Sequence, residues 1–196
     1  MTARQYFRDR GQRGTRGPLA AVLAAVMLAA ATALTGCAAA SSDTAPRCDD
    51  PLRLAIIAQS LPTASYVPCI RDLPPGWSTS GFDATQSGTS FLLDSDRSAG
   101  RPVKVQLTAT CRPGITSPSP PRAPGVLTYT RLTSVRPRFS GTVYDVFPGG
   151  CVSYAFDFAL GSQIALMEQF EGAVGLYPRQ QLQLIVKQKL GVELNP

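Results

Sequence analysis

An uncharged apolar segment, residues 19–34, follows a basic amino terminus and decides which part of the chain can fold. Residues 1–17 carry five arginines and one acid, Asp9. As a helix, the apolar segment would extend roughly 24 Å, which is less than the ~30 Å hydrocarbon core of a bilayer. This arrangement is typical of an export signal rather than of a permanent transmembrane helix. We therefore expect this amino-terminal segment to be removed and the fold to be built from the rest.

The apolar segment ends in Leu34-Thr35-Gly36-Cys37. This tetrapeptide resembles the lipobox of bacterial lipoproteins. The resemblance implies cleavage before Cys37, a diacylglyceryl group on its sulfur, and a mature protein anchored on the extracytoplasmic face of the cell membrane. Two acyl chains anchor stably, because each buried methylene contributes about 0.8 kcal/mol and one chain alone binds only marginally. The alternatives are an uncleaved anchor and a plain secretory signal.

The sequence thus predicts three regions: a signal peptide (1–36), a lipidated flexible tether (37–47) and a single domain (48–196). The tether is rich in small and polar residues, and ten such residues have an r.m.s. reach of about 17 Å. We therefore expect the domain to lie close to the membrane surface. Its roughly 150 residues are enough for one sizeable core.

The charge of the chain belongs largely to the signal segment. The whole sequence has a net charge of +6, whereas the part after residue 36 has about +2. Nucleic-acid-binding proteins usually carry a strongly basic surface. The sequence therefore predicts no nucleic-acid partner.

Four cysteines follow Cys37, and an even number in an exported chain indicates two disulfides. Three pairings are possible. We favour Cys48 with Cys69 and Cys111 with Cys151, because each pair brackets one local unit, and each bond would stabilise by about 3 to 4 kcal/mol. Strand alternation places Cys151 on the face opposite Cys111, which opposes the second pair unless the preceding glycines form a bulge. A thiolate metal site lacks any C-x-x-C spacing.

Alternating apolar residues predict strands over 89–93, 103–111, 126–132, 141–147 and 151–158. A helix, or alternatively a strand, is predicted after Asp50 as N-cap, followed by an irregular segment over 67–77 containing a core anchor, Trp77. The proline-rich residues 113–124 predict an exposed, stiff loop. Two C-terminal helices would begin at Ser162 and Pro178. Together these elements predict an α+β fold, an antiparallel sheet of four to five strands with the two C-terminal helices packed on one face.

The chain contains no histidine. This excludes Ser-His-Asp and Cys-His catalytic arrangements and the usual zinc sites. Asp94 and Asp96 beside Arg97 form the most conspicuous polar group, which suggests a cation or acid/base site, although a hairpin tip normally collects the same residues. We predict no catalytic residue, no metal and no cofactor.

Arg131, Arg136 and Arg138, with Arg122 nearby, form the densest basic stretch of the domain. Close to a membrane, such arginines can bind anionic headgroups or envelope phosphates. A solvated loop and strand edge explains the same residues equally simply.

These observations predict a non-enzymatic lipoprotein module that binds an envelope component or a partner protein beside the membrane. The alternative is a carrier or sensor that holds a lipid or small apolar ligand between the sheet and the C-terminal helices, with the apolar residues of 152–158 as one wall. A carboxylate- or metal-dependent enzyme using Asp94 and Asp96 is the third hypothesis.

Overall fold

A computed structural model describes residues 45–98, 100, 103–159, 161 and 163–195 of the chain. The lipobox with Cys37, most of the tether and the helix start at Ser162 lie outside the described residues. The residues that are described belong to one compact unit spanning residues 42–196. Among them, no helix is both long enough and apolar enough to cross a membrane.

Strands dominate the described part of the chain, and three short helices accompany them. Helix α1 (Pro51–Ser60) precedes the strands, α2 (Gln163–Ala173) lies between the last two strands, and α3 (Arg179–Leu190) follows them. The strands are β1 (Tyr66–Ile70), β2 (Trp77–Thr85), β3 (Gly88–Ser95), β4 (Val103–Thr108), β5 (Ser117–Ser119), β6 (Leu127–Ser134), β7 (Arg138–Phe147), β8 (Gly150–Ala159) and β9 (Val174–Pro178).

Seven strands form one antiparallel sheet in the order β2-β3-β4-β8-β7-β6-β5. Because side chains alternate along a strand, residues paired across the sheet share a face. Phe91, Val105, Tyr154 and Val143 form one such row, and all four are buried. This inner face is the main wall of the core, and the outer face is largely polar.

Strands β1 and β9 form a separate antiparallel ribbon. Together with α1 and α2 it contributes to the same core as the inner face, through residues such as Val67, Leu54 and Phe170. Helix α3 contacts α1 and β9, and its Leu182 and Val186 are buried there. The ribbon, α1 and α2 therefore cover one face of the large sheet, and α3 packs on α1 and β9.

The predicted α+β fold class, with four to five strands and two C-terminal helices packed on one face, is wrong. The sheet has seven strands, the ribbon adds two, and the fold is β-rich. Strands β1, β5 and β9 each contain a proline, and β2 contains Gly81, so none of the four shows the alternation that predicts a strand. The second C-terminal helix also differs from the prediction, because α3 packs on α1 and β9 instead of on the large sheet.

Both disulfides predicted from the cysteine count are confirmed, and they join Cys48 to Cys69 and Cys111 to Cys151. Cys151 does lie on the outer face, since the next residue, Val152, is on the inner face. The expected bulge is not the reason the second pair forms. Strand β4 ends at Thr108, three residues before Cys111, so Cys111 belongs to the connection that leaves the strand.

That connection, residues 109–116, crosses the outer face of the large sheet. It joins β4 to β5, which lie on either side of β8, β7 and β6 in the strand order. The disulfide to Cys151 places it over β8, and a Cβ at Gly114 would lie 3.8 Å from Nη1 of Arg131 on β6. We call residues 109–116 the crossover.

The helix ends combine confirmed and corrected predictions. Asp50 caps α1 as predicted, because its Oδ1 accepts a hydrogen bond of 3.1 Å from the backbone N–H of Arg53. Gly191 ends α3 in the left-handed conformation, with a φ of 68°. In α2 the buried stripe is Leu166, Phe170 and Ala173, whereas Ile164 is exposed.

Candidate functional site

An open cleft of about 460 Å³ lies where four segments of the chain meet. Its lining is predominantly apolar and comes from residues 63–66, from Pro124 and Gly125, from Pro148, and from residues 178–180. We call it the proline cleft, after its three prolines. A volume of this size lies within the range of small-molecule sites, which is roughly 300 to 1,000 Å³.

Hydrogen bonds fix the segments of the proline cleft to one another. Tyr66 donates from its hydroxyl to the carbonyl of Pro124 at 2.7 Å. The backbone N–H of Ser65 donates to the Pro148 carbonyl at 3.1 Å, and that of Arg179 donates to the Ser65 carbonyl at 2.9 Å. The prolines have fixed φ angles, so the cleft is largely preformed.

Gly149, directly after Pro148, allows the closest approach in this region. Its φ is +75°, and a Cβ at this position would lie 1.8 Å from the carbonyl oxygen of Thr63. Only glycine fits there. The Thr63 hydroxyl in turn donates to the Gly149 carbonyl at 2.7 Å, which joins the loop after α1 to the turn before β8.

Two polar groups of the proline cleft are incompletely paired. Arg179 donates from Nη1 to the carbonyl of Ala58 at 2.6 Å and from Nη2 to the carbonyl of Asn195. Partial burial lowers the pKa of Arg179, and no carboxylate of the described residues forms an ion pair with it. The hydroxyl oxygen of Ser65 is buried and has no hydrogen-bond partner within the described residues.

A second polar site surrounds Asp145 on the inner face, and we call it the Asp145 cluster. Asp145 accepts from Thr128 Oγ1 at 2.7 Å, from Tyr154 Oη at 2.9 Å and from Arg122 Nη1 at 3.4 Å. The Arg122 guanidinium also lies 4.7 Å from the centre of the Tyr154 ring. Its Nη2 donates to the carbonyls of Glu171 and Val174.

The Asp145 cluster has the geometry of a structural contact that holds separate segments of the chain together. Its groups are buried and paired, and Arg122 connects the proline-rich segment before β6 to the end of α2 and the start of β9. Burial raises the pKa of the Tyr154 hydroxyl, and the neighbouring Asp145 raises it further. A tyrosine held neutral in this way is not a general base at ordinary pH.

The structure does not gather the predicted arginines into one group. Arg131 is exposed on β6, with its guanidinium 5.6 Å from the centre of the Tyr144 ring. Arg136 is exposed in the turn between β6 and β7, and Arg138 forms an ion pair with Asp157. Arg122 is in the Asp145 cluster instead. Binding of Arg131, Arg136 and Arg138 to an anionic surface stays a prediction.

Asp94 and Asp96 take part in local contacts of the β3 end. Asp94 accepts from the Ser80 hydroxyl at 2.9 Å, and Asp96 lies 3.6 Å from Arg97. Within the described ranges, no group of three or more histidine, cysteine, aspartate or glutamate residues is placed to hold a metal ion. Trp77, the predicted core anchor, is buried and donates to the Gln169 side chain at 2.9 Å.

The aromatic residues predicted as the wall of a carrier cavity pack against one another. Phe156 lies 5.5 Å from Phe158 between ring centres, and Phe170 of α2 lies 6.0 Å from Tyr154 and 6.4 Å from Phe156. These residues form ordinary core. The sequence does not predict the proline cleft because its lining comes from four separate segments of the chain, although Pro124-Gly125 and Pro148-Gly149 are recognisable turn signals.

No protein-family model, curated protein or solved structure matches this chain. Its function is therefore inferred from the chemistry of the proline cleft and of the Asp145 cluster.

Proposed function

We propose that this chain is a lipid-anchored, extracytoplasmic binding protein that holds its ligand in the proline cleft. The observation that carries the proposal is the preformed cleft itself, whose lining segments are hydrogen-bonded to one another. The lipobox-like tetrapeptide before residue 38 supports the anchor.

Of the two ligand types that the sequence leaves open, the cleft favours a small molecule over a partner protein. Protein interfaces generally need about 800 Å² of surface from each partner, whereas a small ligand is bound in a concave site of this volume. The site differs from the predicted one, which lay between the sheet and the C-terminal helices.

Binding rather than catalysis is the function that the lining chemistry supports. Thr63, Ser65 and Tyr66 supply hydroxyl groups, but the cleft lining contains no carboxylate, cysteine or lysine to activate them. A nucleophilic hydroxyl needs an adjacent base. Arg179 stays protonated and therefore cannot serve as one.

Native mass spectrometry of the full chain tests this function. The protein is purified from its native envelope in a nonionic detergent, and a bound ligand appears as a discrete added mass. Gln180→Trp places a large side chain at the cleft, and Gln181→Trp makes the same change at an exposed neighbour that does not line it. We expect the added mass in the wild type and in Gln181→Trp, and its loss in Gln180→Trp. An added mass retained by both variants would refute binding in the cleft.

A further inference from the structure

The proline cleft contains a cation that no acidic side chain of the described residues neutralises. Two N–H groups of Arg179 donate to backbone carbonyls, which are neutral. A guanidinium has five N–H donors, so two bonds do not exhaust its capacity. Removing a charge from water without a counter-charge is unfavourable. An anion in the cleft would supply the missing partner.

A second, independent observation comes from the residue that contacts the Arg179 backbone. Ser65 accepts from the Arg179 N–H with its carbonyl, yet its own hydroxyl oxygen is buried without a partner among the described residues. Buried hydroxyl groups are nearly always hydrogen-bonded, and exceptions call for an explanation. Because this oxygen is closed to solvent, a rotation about χ1 of Ser65, which lines the cleft, would bring the hydroxyl to a ligand oxygen beside Arg179.

The amino-terminal end of α3 adds a positive electrostatic potential at the same place, which favours an anion. The helix begins at Arg179 without a side-chain cap, and its first turn contains no acidic residue. Its amino-terminal end therefore carries an uncompensated partial positive charge. Gln180, which also lines the cleft, is in this turn.

The remaining lining accounts for the uncharged part of the ligand. The rings of Pro124, Pro148 and Pro178 and the aromatic ring of Tyr66 provide rigid apolar surfaces. We propose that the cleft binds a small organic anion, with its carboxylate or phosphate group at Arg179 and Ser65 and its apolar body against these rings. This inference rests on the proposed binding function.

Amide chemical shifts of the full chain, recorded by NMR in nonionic detergent, measure binding of three matched probes. Benzoate and phenyl phosphate carry the two anionic groups on the same ring, and benzamide is the neutral control. We expect at least one anion to shift the amides of residues 63–66 and 179–180 and to bind roughly tenfold more tightly than benzamide. Equal affinity of all three probes would overturn the role assigned to charge. The anion that binds more tightly identifies carboxylate or phosphate as the preferred group.

Two variants that add the same charge distinguish an effect at the cleft from an effect of the overall charge of the protein. Gln180→Glu and Gln181→Glu add the same charge in the same helical turn, where acidic residues are favourable, so both should fold. We expect anion affinity to fall about tenfold in Gln180→Glu and less than about twofold in Gln181→Glu. An equal loss in both would contradict a site at the cleft. Ser65→Ala should weaken anion binding without loss of folding, because its hydroxyl has no partner to lose among the described residues.

The two proposals fail in different ways. If native mass spectrometry finds an added mass that Gln180→Trp removes, but no anionic probe binds better than benzamide, the cleft binds a ligand of another class. If there is neither an added mass nor any probe binding, the binding function itself is refuted.

Discussion

Asp145 is completely buried, and its carboxylate accepts hydrogen bonds from three separate segments of the chain. Thr128 is on β6, Tyr154 on β8 and Arg122 in the proline-rich segment. A buried carboxylate keeps its charge only when donors and a counter-charge surround it. The structural role of this residue can therefore be tested by removing the charge alone.

Asp145→Asn should lower the free energy of unfolding by about 3 to 5 kcal/mol, because it leaves the Arg122 guanidinium without its buried partner. Urea unfolding with the disulfides intact measures the change. Asp49→Asn is the control, since Asp49 pairs with Arg47 in an exposed ion pair and should cost less than about 1 kcal/mol. Similar costs for the two variants would contradict the role assigned to the Asp145 cluster.

The Tyr154 hydroxyl should make stability sensitive to alkaline pH. Its pKa is raised in the folded protein, so the folded state resists ionisation while the unfolded state ionises near pH 10. The wild type should lose up to about 1.4 kcal/mol per pH unit above that value, relative to Tyr154→Phe. Urea unfolding of both proteins between pH 8 and about pH 11 measures the difference. A constant difference across this range would disagree with the raised pKa.

Glu171, at the end of α2, should also make stability fall as the pH rises, but in the acidic range. Partial burial raises the pKa of this carboxyl group, and the nearby Arg122 opposes the shift. The raised pKa of Glu171 contributes stability at pH values below the pKa of the unfolded state. This contribution is lost as the pH rises through the pKa of the folded state, so the ionised carboxylate destabilises the fold at neutral pH. Glu171→Gln should be more stable than the wild type at pH 7 by up to about 0.5 kcal/mol, with no gain below about pH 4. Thermal unfolding at the two pH values compares them.

Among the elements, the crossover depends most on a covalent bond. It passes over the outer face without being a strand, and Cys111 joins it to Cys151 of β8. Replacing both cysteines with alanine should cost about 4 kcal/mol, against about 3 kcal/mol for the shorter loop closed by Cys48 and Cys69. Urea unfolding of the two double variants ranks them. A larger cost for the Cys48–Cys69 pair would show that the crossover is held mainly by other contacts.

The central strands are predictable from the sequence, whereas the peripheral ones are not. Along β4, Val103, Val105 and Leu107 are buried between polar neighbours, and this is the alternation that a sheet with one covered face produces. Strand β2 is at an edge, is largely exposed and has a bulge between Ser80 and Asp83, so no such pattern arises. Edge strands gain their conformation from one neighbour, which the local sequence does not encode.

The candidate site is predictable only in its parts. The sequence predicts a helix that opens at Pro178 and loops that contain Pro124 and Pro148, but nothing local places these three residues around one cleft. Within the described residues, the unpaired hydroxyl of Ser65 and the unneutralised charge of Arg179 are properties of the assembled fold. The cysteine count, in contrast, constrains the whole chain and predicts the correct number of disulfides.

For the whole molecule, the proposed lipid anchor at Cys37 is the feature that would set its location. Cys37→Ser should move the chain from the detergent-rich phase to the aqueous phase in a Triton X-114 partition, because the acylated sulfur is lost. The wild-type chain, with an intact mass that begins at an acylated Cys37, is the control. A serine variant that remains in the detergent phase would indicate an uncleaved apolar anchor instead.

For the export that we propose, the strand order has a consequence for the sequence of events. Strand β4 is paired with β8 at the centre of the sheet, yet β5, β6 and β7 lie between them in the chain. As the chain emerges from its amino terminus, β2, β3 and β4 are available first, and β4 then exposes an unpaired edge until β8 follows. Such an edge can pair with a second emerging chain. The interval between translocation of β4 and of β8 is therefore when this protein is most prone to aggregation.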